Sequence, residues 1–267
     1  MNKLQTAIAA LHEADAEAGK RGKRSRVHPA ARVIVCMVFS LVTISFPRYD
    51  LLGLLSMGLY LIITSIWEEI SLRRGLLRLK YIFFALALLG VVNLFYDKHV
   101  LFYIGTLPVT GGMIWMITLM IKGVFTVCAV YFLLLATGIN RLCMALRRFG
   151  IPKGAVTVLL LTYRYLIVLL KETQRMMQAY ALRSAGQKGV HIKAWGSFAG
   201  LLLLRSMDRA QDVYDSMLLR GYNGEFMYEA EEEKAGPGIG FLYTAFWLAV
   251  FFLLRSVPLF RLVGGLF

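Results

Sequence analysis

The sequence predicts an all-α membrane protein with about five transmembrane helices and a cytoplasmic domain of amphipathic helices. Of its 267 residues, 58% are hydrophobic, and the mean hydropathy is +0.63. An ordinary soluble domain has an apolar content of roughly 45–50%. Five apolar stretches approach the length of about 20 residues that a membrane span needs. The Lys and Arg residues cluster between these stretches, which is typical of a multi-pass membrane protein.

The five predicted spans differ in the charge of the links between them. Basic residues precede the first span and fill the 71–80 loop, whereas Arg48 and Lys98 are the only Lys or Arg in the links that follow the first and third spans. Because short cytoplasmic loops carry the excess of Lys and Arg, the N-terminus and the chain after the fourth span are expected in the cytoplasm. The protein is expected to be a multi-pass protein of the plasma membrane. The predicted spans are 32–47, 50–67, 81–96, 113–136 and 239–256.

Residues 154–170 are apolar enough to form another span. If they crossed the membrane, the cations of the segment 171–235 would lie outside the cell, against the charge pattern of the other loops. The favoured interpretation is a helix that dips along or into the membrane and directs Arg164 toward protein or water. The predicted organisation has a cytoplasmic N-terminal segment, a four-helix transmembrane region, a cytoplasmic or interfacial domain and a C-terminal transmembrane helix: 1–31, 32–136, 137–235 and 236–267.

The block at 137–235 is predicted to contain amphipathic helices. In residues 210–218 the apolar side chains recur at i, i+3, i+4, i+7 and i+8, which predicts a helix with one face for burial. A helix at about 166–183 likewise groups apolar side chains on one side. The grouped residues are Met176, Met177 and Tyr180 in the first helix and Ala210, Val213, Tyr214, Met217 and Leu218 in the second.

Both predicted helices end in the same short basic motif. Arg183 and Arg220 lie 37 residues apart, and each is followed by two glycines that favour a helix stop. One such arginine would be explained by pairing with the free carbonyls of the last turn. Two copies favour two equivalent receiving sites, such as the subunits of a pseudo-twofold dimer. Arg anchors such sites well because it offers several fixed donors. The glycines are Gly186 and Gly189, and Gly221 and Gly224.

The motifs Leu182-Arg183-Ser184 and Leu219-Arg220-Gly221 resemble those that end two coupling helices in the transmembrane T-component of energy-coupling factor (ECF) transporters, the EcfT/CbiQ family. Members carry Ala-Arg-Ser or Ala-Arg-Gly, so Leu replaces Ala in both motifs here. The run LLLATGINRLCMALRRFGIPKGAV is also similar to the family, with a membrane helix ending in Thr and a small residue, a short amphipathic helix and Gly-x-Pro. His28–Val33 resembles the family's lead into its first span.

The resemblance implies a scaffold subunit that joins two ABC-type ATPase subunits, as a homo- or heterodimer, to a separate substrate-binding S-component. Region 137–235 would be the coupling domain, and the imported substrate a vitamin or a transition-metal ion such as cobalt or nickel. No cofactor is implied. The ATPase-coupling residues would be Leu182, Arg183, Ser184, Leu219, Arg220 and Gly221, supported by Met176, Met177, Tyr180, Val213, Tyr214 and Met217.

Other function classes find less support in the residues. Gly22-Lys23-Arg24-Ser25 lacks the spacing of a phosphate-binding loop, so ATP hydrolysis is expected in partner subunits. The four histidines are scattered without metal-ligand spacing, and the basic balance marks cytoplasmic loops rather than a nucleic-acid surface. The alternatives are a self-contained channel or secondary carrier and a lipid-modifying enzyme. Lys122, inside the fourth span, is expected either to reach an interface or to pair internally.

Overall fold

A computed structural model describes residues 27–47, 50–68, 70, 80–96, 100–104, 107–184, 190–224 and 237–256. Within these residues the chain is helical apart from one short β-hairpin, so the predicted all-α membrane fold class is confirmed. The helices are α1 (Pro29–Ser45), α2 (Leu51–Trp67), α3 (Lys80–Tyr96), α4 (Gly111–Thr137), α5 (Ile139–Arg148), α6 (Lys153–Arg183), α7 (Ile192–Leu219) and α8 (Pro237–Ser256). The strands are β1 (Val100–Ile104) and β2 (Leu107–Thr110).

The chain divides into two compact units. The described residues of the bundle unit fall within 27–138 and 237–256, and those of the amphipathic unit fall within 139–224. The five predicted spans all fall on helices of the bundle unit. The basic stretch at 20–26 and nearly all of the 71–80 loop lie outside the described residues, as do Gly186 and Gly189.

Helix length separates the apolar helices into two groups. Among the helices that the structure describes, three are long and apolar enough to cross a membrane, whereas α1 and α2, at 17 residues each, and the apolar part of α3 are shorter. At a rise of 1.5 Å per residue, 17 residues cover only about 25 Å. The three long helices are Gly111–Thr137, Lys153–Arg183 and Gly238–Ser256.

An aromatic cluster forms the centre of the bundle unit. The ring of Phe39 in α1 lies 4.5 Å from that of Tyr60 in α2 and 5.6 Å from that of Phe251 in α8. The ring of Trp247, also in α8, meets Tyr60 edge to face at 4.8 Å. Each such pair contributes about 0.5–1.5 kcal/mol beyond the area it buries. These rings therefore hold the last helix against the first two, which are distant from it in sequence.

Two cations tie the ends of α1 to neighbouring helices. At the start of α1 the buried Arg32 donates to Glu68 at 2.5 Å, where α2 ends, and to the Ala136 carbonyl at 3.1 Å in the last turn of α4. At the other end, Lys122 Nζ donates to the carbonyls of Ile44 and Phe46 at 2.9 and 2.7 Å. Carbonyls in the last turn of a helix lack intrahelical partners, so the lysine satisfies them. Of the two expectations for Lys122, internal pairing is the one observed.

The link between the third and fourth spans contains a β-hairpin rather than only irregular loop. The strands β1 and β2 pair antiparallel, with a register irregularity between Val100 and Phe102. The segment Val-Leu-Phe-Tyr-Ile is rich in β-branched and aromatic residues, which favour extended structure. Pro108 is tolerated because neither strand of a two-stranded hairpin is internal to a sheet.

The helices of the amphipathic unit are longer than the sequence pattern predicted. The segments expected at 154–170 and at about 166–183 form one continuous helix of 31 residues, α6. The helix recognised at 210–218 is the end of the 28-residue α7. The contacts between α6 and α7 include an ion pair and a ring contact. The Glu172 carboxylate pairs with Arg205, and the rings of Tyr180 and Phe198 meet edge to face at 5.5 Å.

Candidate functional site

The arginine of the second motif stands at a helix end whose geometry is fixed by glycine. Arg220 is the C-cap of α7, and Gly221 follows it with φ +80°. The N–H of Tyr222 donates to the Met217 carbonyl at 3.0 Å, and that of Gly221 donates to the Leu218 carbonyl at 2.9 Å. This pair of bonds is a Schellman motif, which needs a residue in the left-handed region and so favours glycine. Arg220 is thereby placed at the tip of the helix.

The arginine of the first motif also stands at a helix end. Arg183 is the last residue of α6, and the N–H of the C-cap Ser184 donates to the Tyr180 carbonyl at 3.0 Å. The expectation that each arginine occupies a helix end therefore agrees with the described geometry, although Gly186 and Gly189, the glycines predicted to stop α6, lie outside the described residues.

Both motifs are open to their surroundings. The side chains of Arg183 and Arg220 are exposed, and neither guanidinium has a hydrogen bond or ion pair with any other residue that the structure describes. The leucines before them are among the most exposed apolar residues, Leu182 at 86% and Leu219 at 89%. Each helix end thus presents a cation beside an uncovered apolar side chain. Gly221 is exposed as well, and Ser184 is half-buried.

The predicted supporting residues are only partly covered. Met176, Met177 and Tyr180 of α6 are half-buried. In α7, Val213 and Met217 are half-buried, whereas Tyr214 is exposed. No residue of α7 is buried, so the face predicted for burial finds little to pack against within the described part of this chain.

The contacts between α6 and α7 place the two arginines at opposite ends of a helix pair. Glu172 meets Arg205, while Tyr180, further along α6, meets Phe198, earlier in α7. This reversed order means that the helices run antiparallel through the contact. Arg220 lies 15 residues beyond Arg205, or about 22 Å, and the tip of α6 lies only about 4 Å beyond Tyr180. The stretch between the two contacts adds about 11 Å, so the two arginine tips are at most roughly 38 Å apart along the helix axes.

The sequence patterns did not identify the two contacts that brace this helix pair. One signal for the ion pair was present: Glu172 is the first acidic residue after Asp97, at the start of the polar part of α6. Its partner Arg205 is one of several cations in α7, and nothing in the sequence singles it out. The contact between Tyr180 and Phe198 has no local signature either.

The described part of the chain contains no group of three or more His, Cys, Asp or Glu residues placed to hold a metal ion. Burial of the Cys143 side chain in α5 raises the pKa of its thiol. A thiol with a raised pKa is a poor nucleophile near neutral pH, because the thiolate is the reactive form. The two exposed helix ends present guanidinium and apolar groups.

Comparison with known proteins identifies the family. Residues 20–230 match the CbiQ family, described as cobalt transport protein. An uncharacterized protein of Methanocaldococcus jannaschii is 30% identical over 49% of this chain and 46% of the relative. A putative fused cobalt transport protein CbiMQ of Methanocorpusculum labreanum is 27% identical over 41% of this chain and 18% of the relative. The chain thus spans less than half of the length of these two relatives.

A third relative is matched over most of its length. The energy-coupling factor transporter transmembrane protein EcfT of Thermosediminibacter oceani is 26% identical over 213 residues, which cover 74% of this chain and 80% of that protein. The family match extends over well more than half of the chain and includes α1 to α7 with both arginine motifs. The chain belongs to the CbiQ family of cobalt transport proteins.

Proposed function

We propose that this protein is the transmembrane scaffold and energy-coupling subunit of an ECF-type ABC importer. The observation that carries the proposal is the pair of exposed arginine tips, each beside an uncovered leucine, at opposite ends of the α6–α7 pair. Two ATPase subunits of a homo- or heterodimer would each receive one tip. A separate substrate-binding S-component completes the transporter in the membrane, and residues 137–235 form the coupling domain.

Each tip is suited to a groove on a partner protein. A guanidinium offers five N–H donors in a fixed plane, which suits carboxylates and backbone carbonyls. The leucine before each arginine fills the apolar part of the groove, so that Leu182 and Leu219 lose their exposed surface on binding. Arginine beside a desolvated apolar contact is a frequent anchor of protein interfaces.

The α6–α7 pair would carry motion from the ATPases toward the membrane. ATP binding closes the ATPase dimer and displaces its two receiving grooves. The bracing contacts of Glu172 with Arg205 and of Tyr180 with Phe198 allow the pair to move as one body. Such rigid-body displacement is a common form of switching. The S-component then tilts and exposes its substrate to the cytoplasm, the side on which the N-terminus of this chain would lie.

Two comparisons bear on the substrate. The family description and the name of the Methanocorpusculum labreanum relative both contain cobalt transport. They favour import of a transition-metal ion, cobalt, over a vitamin.

Charge reversal at the tips tests the coupling role. Arg183→Glu, Arg220→Glu and the double variant are expressed with the ATPase pair and the S-component, and Arg209→Glu, an exposed position within α7, is the matched control. We expect each tip variant to lose ATPase co-purification or ATP-driven uptake, while the control keeps both. Unchanged assembly and uptake in the tip variants would refute the coupling role. Uptake by this chain alone in proteoliposomes would favour a self-contained carrier.

A further inference from the structure

A basic surface joins α5 to α6. Four cations, Arg141, Arg147, Arg148 and Lys153, occur within 13 residues, and no Asp or Glu occurs between Asp97 and Glu172. The surface therefore has no acidic residue close to it in sequence. We call residues 147–153 the basic turn. Its three cations are exposed.

The basic turn also presents an aromatic side chain. Phe149 lies between the cations and is 45% exposed, while Cys143 and Ala145 on the other side of α5 are buried. An exposed aromatic ring flanked by cations is typical of segments at a membrane interface, where the ring enters the headgroup region and the cations meet phosphates.

The basic turn is tied by the chain to two apolar helices. α5 begins at Ile139, directly after Gly138 and the end of α4. Beyond the turn, α6 begins at Lys153, and both α4 and α6 are long and apolar enough to enter a bilayer. Clusters of Lys and Arg beside a membrane helix on the cytoplasmic side attract anionic lipids. The turn is connected to apolar segments on both sides whether or not α6 crosses the membrane.

The start of α6 has neither a side-chain cap nor an acidic residue in its first turn. The N-cap Pro152 makes no side-chain bond to the helix, and the first turn has no acidic residue. Lys153 places a positive charge near the positive end of the helix dipole, which is unfavourable in isolation. The negative charge of a phosphate group beside this helix start would interact favourably with both the helix dipole and Lys153.

We propose that the basic turn binds the headgroup phosphates of anionic phospholipids in the cytoplasmic leaflet. α5 then lies in the plane of the interface, with Phe149 inserted at the headgroup level. The charge of the turn, its exposed ring and its two apolar neighbours together favour a lipid surface over a soluble acidic protein. The proposal stands independently of the coupling role of the arginine tips.

The test counts retained lipids on the full-length protein. The protein is purified from membranes containing phosphatidylglycerol and phosphatidylcholine, and bound lipids are measured by native mass spectrometry. Arg147→Gln/Arg148→Gln/Lys153→Gln is compared with a matched control, Lys171→Gln/Arg175→Gln/Arg209→Gln, which removes three exposed cations elsewhere in the amphipathic unit. The single variant Phe149→Ser tests the ring.

Each cation near an anionic surface changes binding by about fivefold, so three together give up to about a hundredfold. We expect the triple variant to retain at least about tenfold less phosphatidylglycerol than the control, with phosphatidylcholine unchanged. Equal phosphatidylglycerol retention in the triple variant and the control would overturn the proposal. So would equal loss of both lipids. Loss of ATPase co-purification with lipid retention unchanged would assign the turn to a protein partner instead.

Discussion

The ion pair between Arg32 and Glu68 supports a quantitative prediction about the stability of the bundle unit. Their side chains are 9% and 19% exposed, and the guanidinium also donates to the Ala136 carbonyl. Removing one partner of a buried ion pair typically costs 3–5 kcal/mol, because the other charge is left buried and unpaired. Partial access of water to Glu68 favours the lower end, so Arg32→Met should lower the free energy of unfolding by about 3 kcal/mol.

Replacement of Glu68 should lower the free energy of unfolding by less than replacement of Arg32. Glu68→Gln keeps an oxygen that accepts a hydrogen bond, and losing only the charge should cost about 1.5 kcal/mol. Because the arginine is absent from the double variant, its destabilisation should fall short of the sum of the single variants by at least about 1 kcal/mol. This shortfall distinguishes a coupled pair from two separate contacts, because the destabilisations of two separate contacts would simply add.

Thermal unfolding in mild detergent, followed by tryptophan fluorescence, provides the measurement. A loss of about 3 kcal/mol corresponds to a lowering of the midpoint by roughly 6–12 °C for a domain of about 150–250 residues. Arg255→Gln is the control, because this exposed arginine donates to Ser45 at 3.3 Å and lies over the Phe46 ring, away from any acidic partner among the described residues. If the destabilisation of the double variant equals the sum of those of Arg32→Met and Glu68→Gln within about 0.5 kcal/mol, the coupling is refuted.

Two further variants and one labelling experiment test the structure. Lys122→Met removes the donor to the carbonyls that end α1 and should lower the unfolding free energy by about 2 kcal/mol, against no change for Lys171→Met in the same thermal assay. Gly221→Ala places a side chain in the left-handed region at the cap of α7, which costs about 1 kcal/mol or more, and it should weaken ATPase co-purification. Gly224→Ala introduces the same backbone strain at a position beyond the cap, and it should leave ATPase co-purification unchanged. Because burial raises its pKa, Cys143 should react with iodoacetamide at pH 8 more slowly than it does after unfolding; equal rates would contradict this.

The membrane helices could be predicted from the sequence because their signal is local. A run of apolar residues identifies a helix without knowledge of its neighbours, and all five predicted spans fall on helices. The position of the arginines at helix ends was predictable for the same reason. Gly221 directly follows Arg220, and a glycine just after the last periodic residue of an amphipathic segment commonly marks the end of its helix.

Contacts between distant segments could not be predicted in the same way. Arg32 and Ala136 are 104 residues apart, and Lys122 and Ile44 are 78 apart. A cation inside or beside an apolar helix indicates that a partner exists, but hydropathy does not specify which one. The continuity of α6 was missed for a related reason, since the change from apolar to polar composition near Lys171 suggested two segments where the backbone forms one.

The two arginine tips share their chemistry but differ in mechanical support. Arg183 lies three residues beyond the ring contact of Tyr180, so the brace between α6 and α7 directly limits its movement. Arg220 lies about 22 Å beyond Arg205, at the end of a helix with no buried residue. Most helix stability in proteins comes from packing of an amphipathic face rather than from propensity. We therefore expect a partner surface to cover the incompletely buried face at 210–218 and to hold this tip in place, so that the position of this end of α7 depends on the partner.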